Sequence, residues 1–500
     1  MSRALRFSLQ MVFATLISRV LGLVRDMLFA HQFGSSPEYD AYLVAILLPF
    51  MLRRVFAEGA LSTTFVPLYN RRFQENPAAA RRFANTVLTL FIPIILLIVI
   101  LAMYGIPWII QLFAPGLSPA TADLTAFLGR LVFPFILFIS LASIYTGMLN
   151  SHDHYFGPAL SPAIHNIFTI IGIFLAPLFN PPILGPTIFF LLGGVVQWGW
   201  VFLLSRRKTH FRLSIGLDPR DIQEFFPVFF TSFAALSLGQ INTIVDTNVV
   251  SGLGQGSIAL LQYANRLFQL PLGVFAISVS TVALSMISKE KVGGASKALA
   301  ESVEKMFLMI LPASLGLLLL REDLVRLLFQ RGAFTLLDTL VTSRILLGYV
   351  IGLPFYSFLS LFTRAAYSLQ MKKVPLVASG VAVGVNVVLD IVLSRVWAEF
   401  GVALATSIAG FVGMSILGFV LWKGKYLRVP RAQGIEILKS FVATALMGGV
   451  LLFLNSWLHY SALNVGAKVI AGGALFLGAL LLMRQKDTLR AWKHLRSSGK

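Results

Sequence analysis

The feature that most constrains this chain is a recurrence of apolar runs, each long enough to cross a bilayer. A hydrocarbon core about 30 Å thick takes about 20 helical residues per crossing. Fourteen such runs, bounded by charge, Gly or Pro, lie near residues 8–30, 40–69, 83–113, 124–149, 158–178, 183–204, 222–250, 257–288, 303–320, 338–368, 374–394, 400–422, 435–457 and 463–483. Composition agrees, with 57% apolar and 12% charged residues and a mean hydropathy of +0.81. The chain reads as an all-α polytopic membrane protein of fourteen transmembrane helices. It has no cysteine, which excludes disulfides, thiolate catalysis and cysteine-held metals. The net charge of +20 is spread over many loops rather than gathered on one stripe, so nucleic acid is not the expected partner.

Lys and Arg in short loops resist translocation and set orientation. With the N-terminus inside, one side collects Arg71, Arg72, Arg81 and Arg82, then Arg206, Arg207, Lys208, Arg212 and Arg220, then Lys289, Lys291, Lys297 and Lys305. Lys372, Lys373, the stretch from Lys423 to Arg431 and the tail RQKDTLRAWKHLRSSGK continue the pattern. APGLSPATAD and FNPP, on the other side, carry almost no positive charge. Both termini are therefore expected in the cytoplasm, with MSRALRF leading an uncleaved first helix. The outer stretch REDLVRLLFQRGAFT, with Arg321, Arg326 and Arg331, breaks the rule and suits an amphipathic piece at the outer interface.

Charges inside the spans carry the functional signal, because each costs roughly 2.5–3.5 kcal/mol at mid-bilayer on the insertion scale. Arg130, Arg344 and Arg364 fit snorkelling at helix ends. In SRVLGLVRD, Ser18 and Arg25 are seven residues apart, as are Arg19 and Asp26, so each pair shares a helix face, with Gly22 between them. In LPFMLRRVFAEGA, Arg54 and Glu58 are spaced to pair with each other. Helical spacing then assigns no acid to Arg25, Arg53 or Arg266, and an anionic ligand is the simplest compensation, since guanidinium forks match phosphate oxygens.

The halves repeat weakly. VFAEGALSTTFVP at 55–67 resembles VFAISVSTVALSM at 274–286, and a similar shift places Asp26 over Asp246 and Gly34 over Gly254. This reads as two six-helix lobes, 1–220 and 221–433, around a central cavity, with 434–500 adding two helices and a basic cytoplasmic tail. An enzyme is disfavoured: HDH at 152–154 and a lone His165 lack the further ligands or clustered acids that a metal or acid–base site requires.

SRVLGLVRD, LPFMLRRVFAEGALSTTFVP, YANRLFQLPLGVF and LFQRGAFTLLDT resemble signature stretches of the MurJ (MviN) family of lipid II flippases, within the multidrug/oligosaccharidyl-lipid/polysaccharide exporter superfamily. The resemblance implies alternating access that carries undecaprenyl-pyrophosphate-linked peptidoglycan precursor outward across the bacterial cytoplasmic membrane. It places the family's arginines on Arg19, Arg25, Arg53 and Arg266 and its acids on Asp26 and Asp40. Lipid II, membrane lipids and peptidoglycan-synthesis proteins are the partners it implies. Two positions depart from the family pattern: Asn265 stands where Asp is common, and Met371-Lys372 where Asp-Thr is common. The rival cargoes are other polysaccharide lipids and cationic drugs, though a cation exporter is expected to carry cavity acids rather than arginines. A scaffold in an envelope-assembly complex is the reading without transport.

A second constellation concerns coupling. Asp246, Asn386, Asp390, Thr406 and the Val402 carbonyl are hard oxygen donors, with Asn386 and Asp390 one turn apart. Such donors suit a small hard cation, and Mg²⁺ and Ca²⁺ prefer more carboxylate or water. Na⁺ is the expected coupling ion, H⁺ on one of the aspartates the alternative, and simple interhelical hydrogen bonding the structural reading.

Overall fold

The computed structural model describes residues 3–55, 59, 61–209, 213–238, 240–289, 292–458 and 460–489. Every regular element among them is helical, and ten helices are long and apolar enough to cross a membrane. The chain divides into two compact units, Met1–Ala259 and Leu260–Lys500. Glu58, Arg212, Lys291 and the end of the basic tail, 490–500, lie outside the described residues.

The first unit holds α1 (Arg3–Phe33), α2 (Pro37–Arg53), α3 (Leu61–Glu75), α4 (Pro77–Phe113), α5 (Pro119–Val132), α6 (Phe135–Ser151), α7 (Phe156–Phe174), α8 (Leu184–Thr209), α9 (Pro219–Leu238) and α10 (Ile241–Ser251). Three of these helices start by the same local device, a capping side chain followed by proline at the first helical position. Ser36 accepts from the Tyr39 N–H at 3.3 Å, Asn76 from Ala78 at 2.8 Å and Ser118 from Thr121 at 3.3 Å. Helix α4 has 37 residues, roughly 55 Å at 1.5 Å per residue, so it overruns the hydrocarbon at the end that carries Arg81 and Arg82. Its outer face shows Tyr104, Trp108 and Leu101 to the surroundings. A face that apolar is stable against lipid tails and costly against water.

The second unit takes in most of α11 (Ser257–Pro271), then α12 (Ile277–Lys289), α13 (Val292–Leu319), α14 (Arg321–Phe329), α15 (Leu336–Ser368), α16 (Lys373–Lys423), α17 (Arg431–Trp457) and α18 (Ala462–Leu482). A π-helical turn, Leu272–Ala276, follows Pro271, where the proline removes a backbone donor. Thr335 and Asp338 form a reciprocal capping box at the head of α15.

Helix α16 is 51 residues long and breaks at Ala398, whose φ of 50° is left-handed. Its halves fold back as a hairpin. A Cβ on Gly401 would collide with the Leu393 carbonyl, and one on Gly413 would sit 3.3 Å from the Ala382 Cβ. The runs expected at 374–394 and 400–422 are these two arms, and glycine at 401 permits the close return of the chain.

The stretch read as an amphipathic outer piece packs against its own bundle. Val325 and Phe329 of α14 are fully buried, and Phe329 joins Tyr263 and Phe334 in an aromatic cluster. Its arginines are committed locally: Arg321 donates to the Leu318 carbonyl, Arg331 to that of Leu327, and Arg326 lies 4.0 Å over the Tyr460 ring. Asp323 forms a 2.7 Å ion pair with Lys468 of α18. Leu320, Ala443, Met447, Leu451, Phe476 and Leu480 form an apolar core against which Leu308, Leu315 and Leu319 of α13 pack, so that it joins α13, α17 and α18.

Candidate functional site

Helix α1 carries Arg25 and Asp26 against α7. The Arg25 guanidinium donates from Nε at 3.1 Å and Nη2 at 2.8 Å to one Asp26 carboxylate oxygen, and from Nη1 at 3.0 Å to the side-chain oxygen of Asn166. Asn166 in turn donates from Nδ2 to the Ser18 backbone carbonyl at 3.0 Å. Gly22 packs beside Asn166, where a Cβ would stand in ordinary contact 3.6 Å from its Nδ2. The expectation that Arg25 has no acid partner therefore fails. Adjacent side chains on a helix diverge, but the long guanidinium arm curls back along the helix to reach Asp26. Ser18 takes part through its carbonyl, not its hydroxyl.

Arg53, at the end of α2, lies 5.4 Å over the Phe50 ring. Phe50 meets Phe190 edge-on at 5.4 Å, and Phe190 meets the buried His165 ring edge-on at 4.5 Å. Phe135 packs on both Phe190 and His165. His165 lies within electrostatic range of Arg25 and Arg53 alike. The fold thus sets Arg53 on an aromatic shelf that includes His165, the chain neighbour of the Asn166 that holds Arg25. The helix turns to π geometry at Arg54 and Val55 just beyond Arg53, and Arg54 is exposed. The Arg54 to Glu58 pairing involves a residue outside those described.

Arg19 is exposed on α1 and does not join the network. Asp40 is 2% exposed, and its carboxylate accepts from the N–H groups of Gly256 at 2.6 Å and Ala259 at 2.9 Å. It caps the start of α11, where free N–H groups and the helix dipole favour an anion. Arg266 is half-buried on α11 in the second unit. Arg364 donates to the Thr281 hydroxyl at 2.6 Å, and Arg344 lies over Phe400.

The oxygen constellation divides between the units. Asp246 is on α10 in the first. Asn386, Asp390, Val402 and Thr406 are all on the α16 hairpin in the second. Asn386 Nδ2 donates to Asp390 at 2.9 Å, and the Thr406 hydroxyl donates to the Val402 carbonyl at 3.2 Å. Asn386, Asp390 and Val402 are essentially fully buried. The carboxylate, amide oxygen, carbonyl and hydroxyl are all hard oxygen donors.

Asn166 and the aromatic shelf were not identified from sequence. The available signal is a pair of polar residues, His165 and Asn166, in the largely apolar SPAIHNIF. His152 of the HDH stretch has a structural place, 3.2 Å from the Tyr69 hydroxyl and edge-on to Phe73.

A chain of long apolar helices, ten of them able to cross a membrane, with an oriented Arg25–Asp26–Asn166 network among them, has the build of a polytopic integral membrane protein. The family described as lipid II flippase MurJ matches residues 29–469. A probable lipid II flippase MurJ of Thermotoga maritima is 36% identical over 453 residues, 91% of this chain and 90% of the relative. The lipid II flippase MurJ of Thermosipho africanus is 41% identical over 407 residues, 81% and 83% of the two chains. A solved lipid II flippase MurJ in an inward closed conformation superposes with a TM-score of 0.84 at 37% identity, covering 95% of this chain and 98% of its own. An inward-facing multidrug MATE transporter of the MOP superfamily, at 14% identity and TM-score 0.69 over 84% of this chain and 98% of its own, shares the fold. The chain belongs to the lipid II flippase MurJ family, whose members are transporters and not enzymes.

Proposed function

We propose that this protein moves lipid II from the inner to the outer leaflet of the bacterial cytoplasmic membrane by alternating access. The observation that carries the reading is the Arg25 guanidinium, locked by Asp26 and Asn166 beside the shelf that holds Arg53. A pyrophosphate with about two negative charges cannot enter hydrocarbon without replacement of its hydration. Oriented guanidinium groups supply that replacement with paired N–H donors. Asp26 holds Arg25 in place and offsets part of its charge, which keeps anion binding reversible. The family resemblance carries Arg19 and Arg266 to the same role. The prenyl tail is apolar and stays in lipid, so no covalent chemistry is required.

The proposed topology is fourteen crossings with both termini cytoplasmic, in lobes 1–220 and 221–433 with 434–500 appended. The positive-inside distribution of Lys and Arg supports it. The coupling ion in this reading is Na⁺, with Asn386, Asp390, Val402 and Thr406 as the ligand set to which the sequence adds Asp246. H⁺ on one of the aspartates is the alternative.

The test is transport of labelled lipid II in vesicles that contain the purified protein. Arg25→Ala, Arg53→Ala and Arg266→Ala are expected to abolish flipping while the protein still inserts, and Lys replacements to restore it only in part, since a point charge does not reproduce the fork. Unchanged flipping by all three Ala variants would refute the assignment and favour a scaffold. Transport of organic cations in place of lipid II would favour a drug exporter.

A further inference from the structure

A cavity of about 280 Å³ lies in the second unit, where α13 and α17 meet the chain just beyond α18. It has no part in the arginine site. Its walls carry both signs of charge: Glu301, Glu304 and Asp487 with Lys297, Lys305 and Lys486.

Among the described residues, one acceptor in this cavity is weakly satisfied and a second has no donor. Glu304 is 8% exposed, and its carboxylate receives one long hydrogen bond, 3.5 Å from Gln485 Nε2. The acids Asp487, Glu436 and Glu301 lie within its electrostatic range, with Lys486 opposing them. Glu436, also buried, is already satisfied by Lys439 Nζ at 3.0 Å and the Lys486 N–H at 3.2 Å. The side-chain oxygen of Gln433, another wall residue, is buried without a hydrogen-bond partner among the described residues. A buried carboxylate and a buried amide oxygen that face one cavity call for a ligand rich in donors.

A primary ammonium meets that requirement, with three N–H donors and no acceptor. Among the described residues no three acids are disposed to hold a metal ion, so the cavity suits an organic cation. Lys297 and Lys305, one turn to either side of Glu301 on the same wall, would repel a bare amine but pair with a phosphate beside it. We propose that this cavity binds the phosphoethanolamine headgroup of an aminophospholipid, the ammonium on Glu304 and Gln433 and the phosphate on the lysines. The occupant is zwitterionic, as is the wall.

The experiment uses the full-length protein in nanodiscs of equimolar phosphatidylethanolamine, phosphatidylcholine and phosphatidylglycerol, with retained lipid read by native mass spectrometry after transfer to detergent. Phosphatidylethanolamine is expected to be retained about tenfold over phosphatidylcholine, whose quaternary nitrogen has no N–H, the scale of one charge-assisted hydrogen bond. Glu304→Gln is expected to bring that ratio towards one. Gln433→Met, at a less buried position, is expected to lower it and serves where Glu304→Gln fails to fold. Equal retention of the two lipids by the wild type, preference for phosphatidylglycerol, or a ratio unmoved by both substitutions would overturn the proposal. Delipidated protein stabilised by water-soluble glycerophosphoethanolamine as strongly as by the lipid would overturn the lipid source and assign the site to the free headgroup.

Discussion

Asn166 accepts a hydrogen bond from Arg25 at 3.0 Å and passes one on to the Ser18 carbonyl at 3.0 Å, so that a residue of α7 sets the direction of a guanidinium on α1. A hydrogen bond to a charged group is worth about 1.5–3 kcal/mol. Asn166→Leu is therefore expected to lower lipid II transport by about 10- to 100-fold with insertion intact, the fold-change equivalent of that energy. Asn166→Asp, which keeps the acceptor, is expected to keep more activity than the Leu variant. Flipping rates in vesicles decide it, and equal rates for wild type and Asn166→Leu would make the contact incidental.

At the end of the first unit that carries the basic loops, Arg72 donates from Nε and Nη2 to Asp221 at 3.2 and 2.9 Å. Burial pushes the Asp221 carboxyl above its ordinary value, with Asp218 and Glu224 adding to the rise and Arg72 opposing it. A carboxyl whose folded pKa is raised binds its proton more tightly in the folded state, so stability falls as pH rises from the ordinary carboxylate value through the raised one. Thermal unfolding in detergent is expected to show extra stability on the acid side of that window. Asp221→Asn is expected to flatten this dependence and Arg72→Ala to steepen it.

Lys468 and Asp323 join α18 to α14 through a 2.7 Å ion pair in which the Lys side chain is 3% exposed and the Asp side chain 20%. Removal of one member of a buried pair costs about 3–5 kcal/mol because the other is left uncompensated. Asp323→Asn strands the deeper charge and is expected to destabilise more than Lys468→Met. The double substitution is expected to recover much of the loss in melting temperature. Additive losses would mean that the two residues act independently.

The oxygen set on α16 yields a test of coupling. Replacement of Na⁺ by choline at fixed pH and membrane potential is expected to slow lipid II transport in the wild type and to have little effect in Asp390→Asn. A ligand shifts a conformational equilibrium only through its differential affinity for the two states, so Na⁺ should also change labelling of cysteines introduced to report access. A wild type indifferent to Na⁺ but dependent on pH, with that dependence lost in Asp390→Asn, would assign the coupling to H⁺.

The all-helical, membrane-spanning character was legible because every backbone polar group in a membrane must be satisfied within its own helix, which makes a long apolar run a candidate span. The helix starts at Pro37, Pro77 and Pro119 precede the apolar runs at 40, 83 and 124, because a cap followed by proline sets the start of a helix where hydropathy does not. Charges inside the runs marked Arg25, Asp26, Arg53 and Asp390 as residues that need partners, because sequence alone exposes their cost. The identity of those partners belongs to tertiary structure. Asn166 stands 141 residues from Arg25, and nothing in the spacing of either helix points to the other. The shelf of Phe50, Phe135, His165 and Phe190 draws on four helices, so its rings read one at a time as ordinary apolar packing. The sharp return at Ala398 was legible only as a gap between two runs, because a left-handed residue other than glycine is tolerated where the packing of Gly401 on Leu393 holds it there.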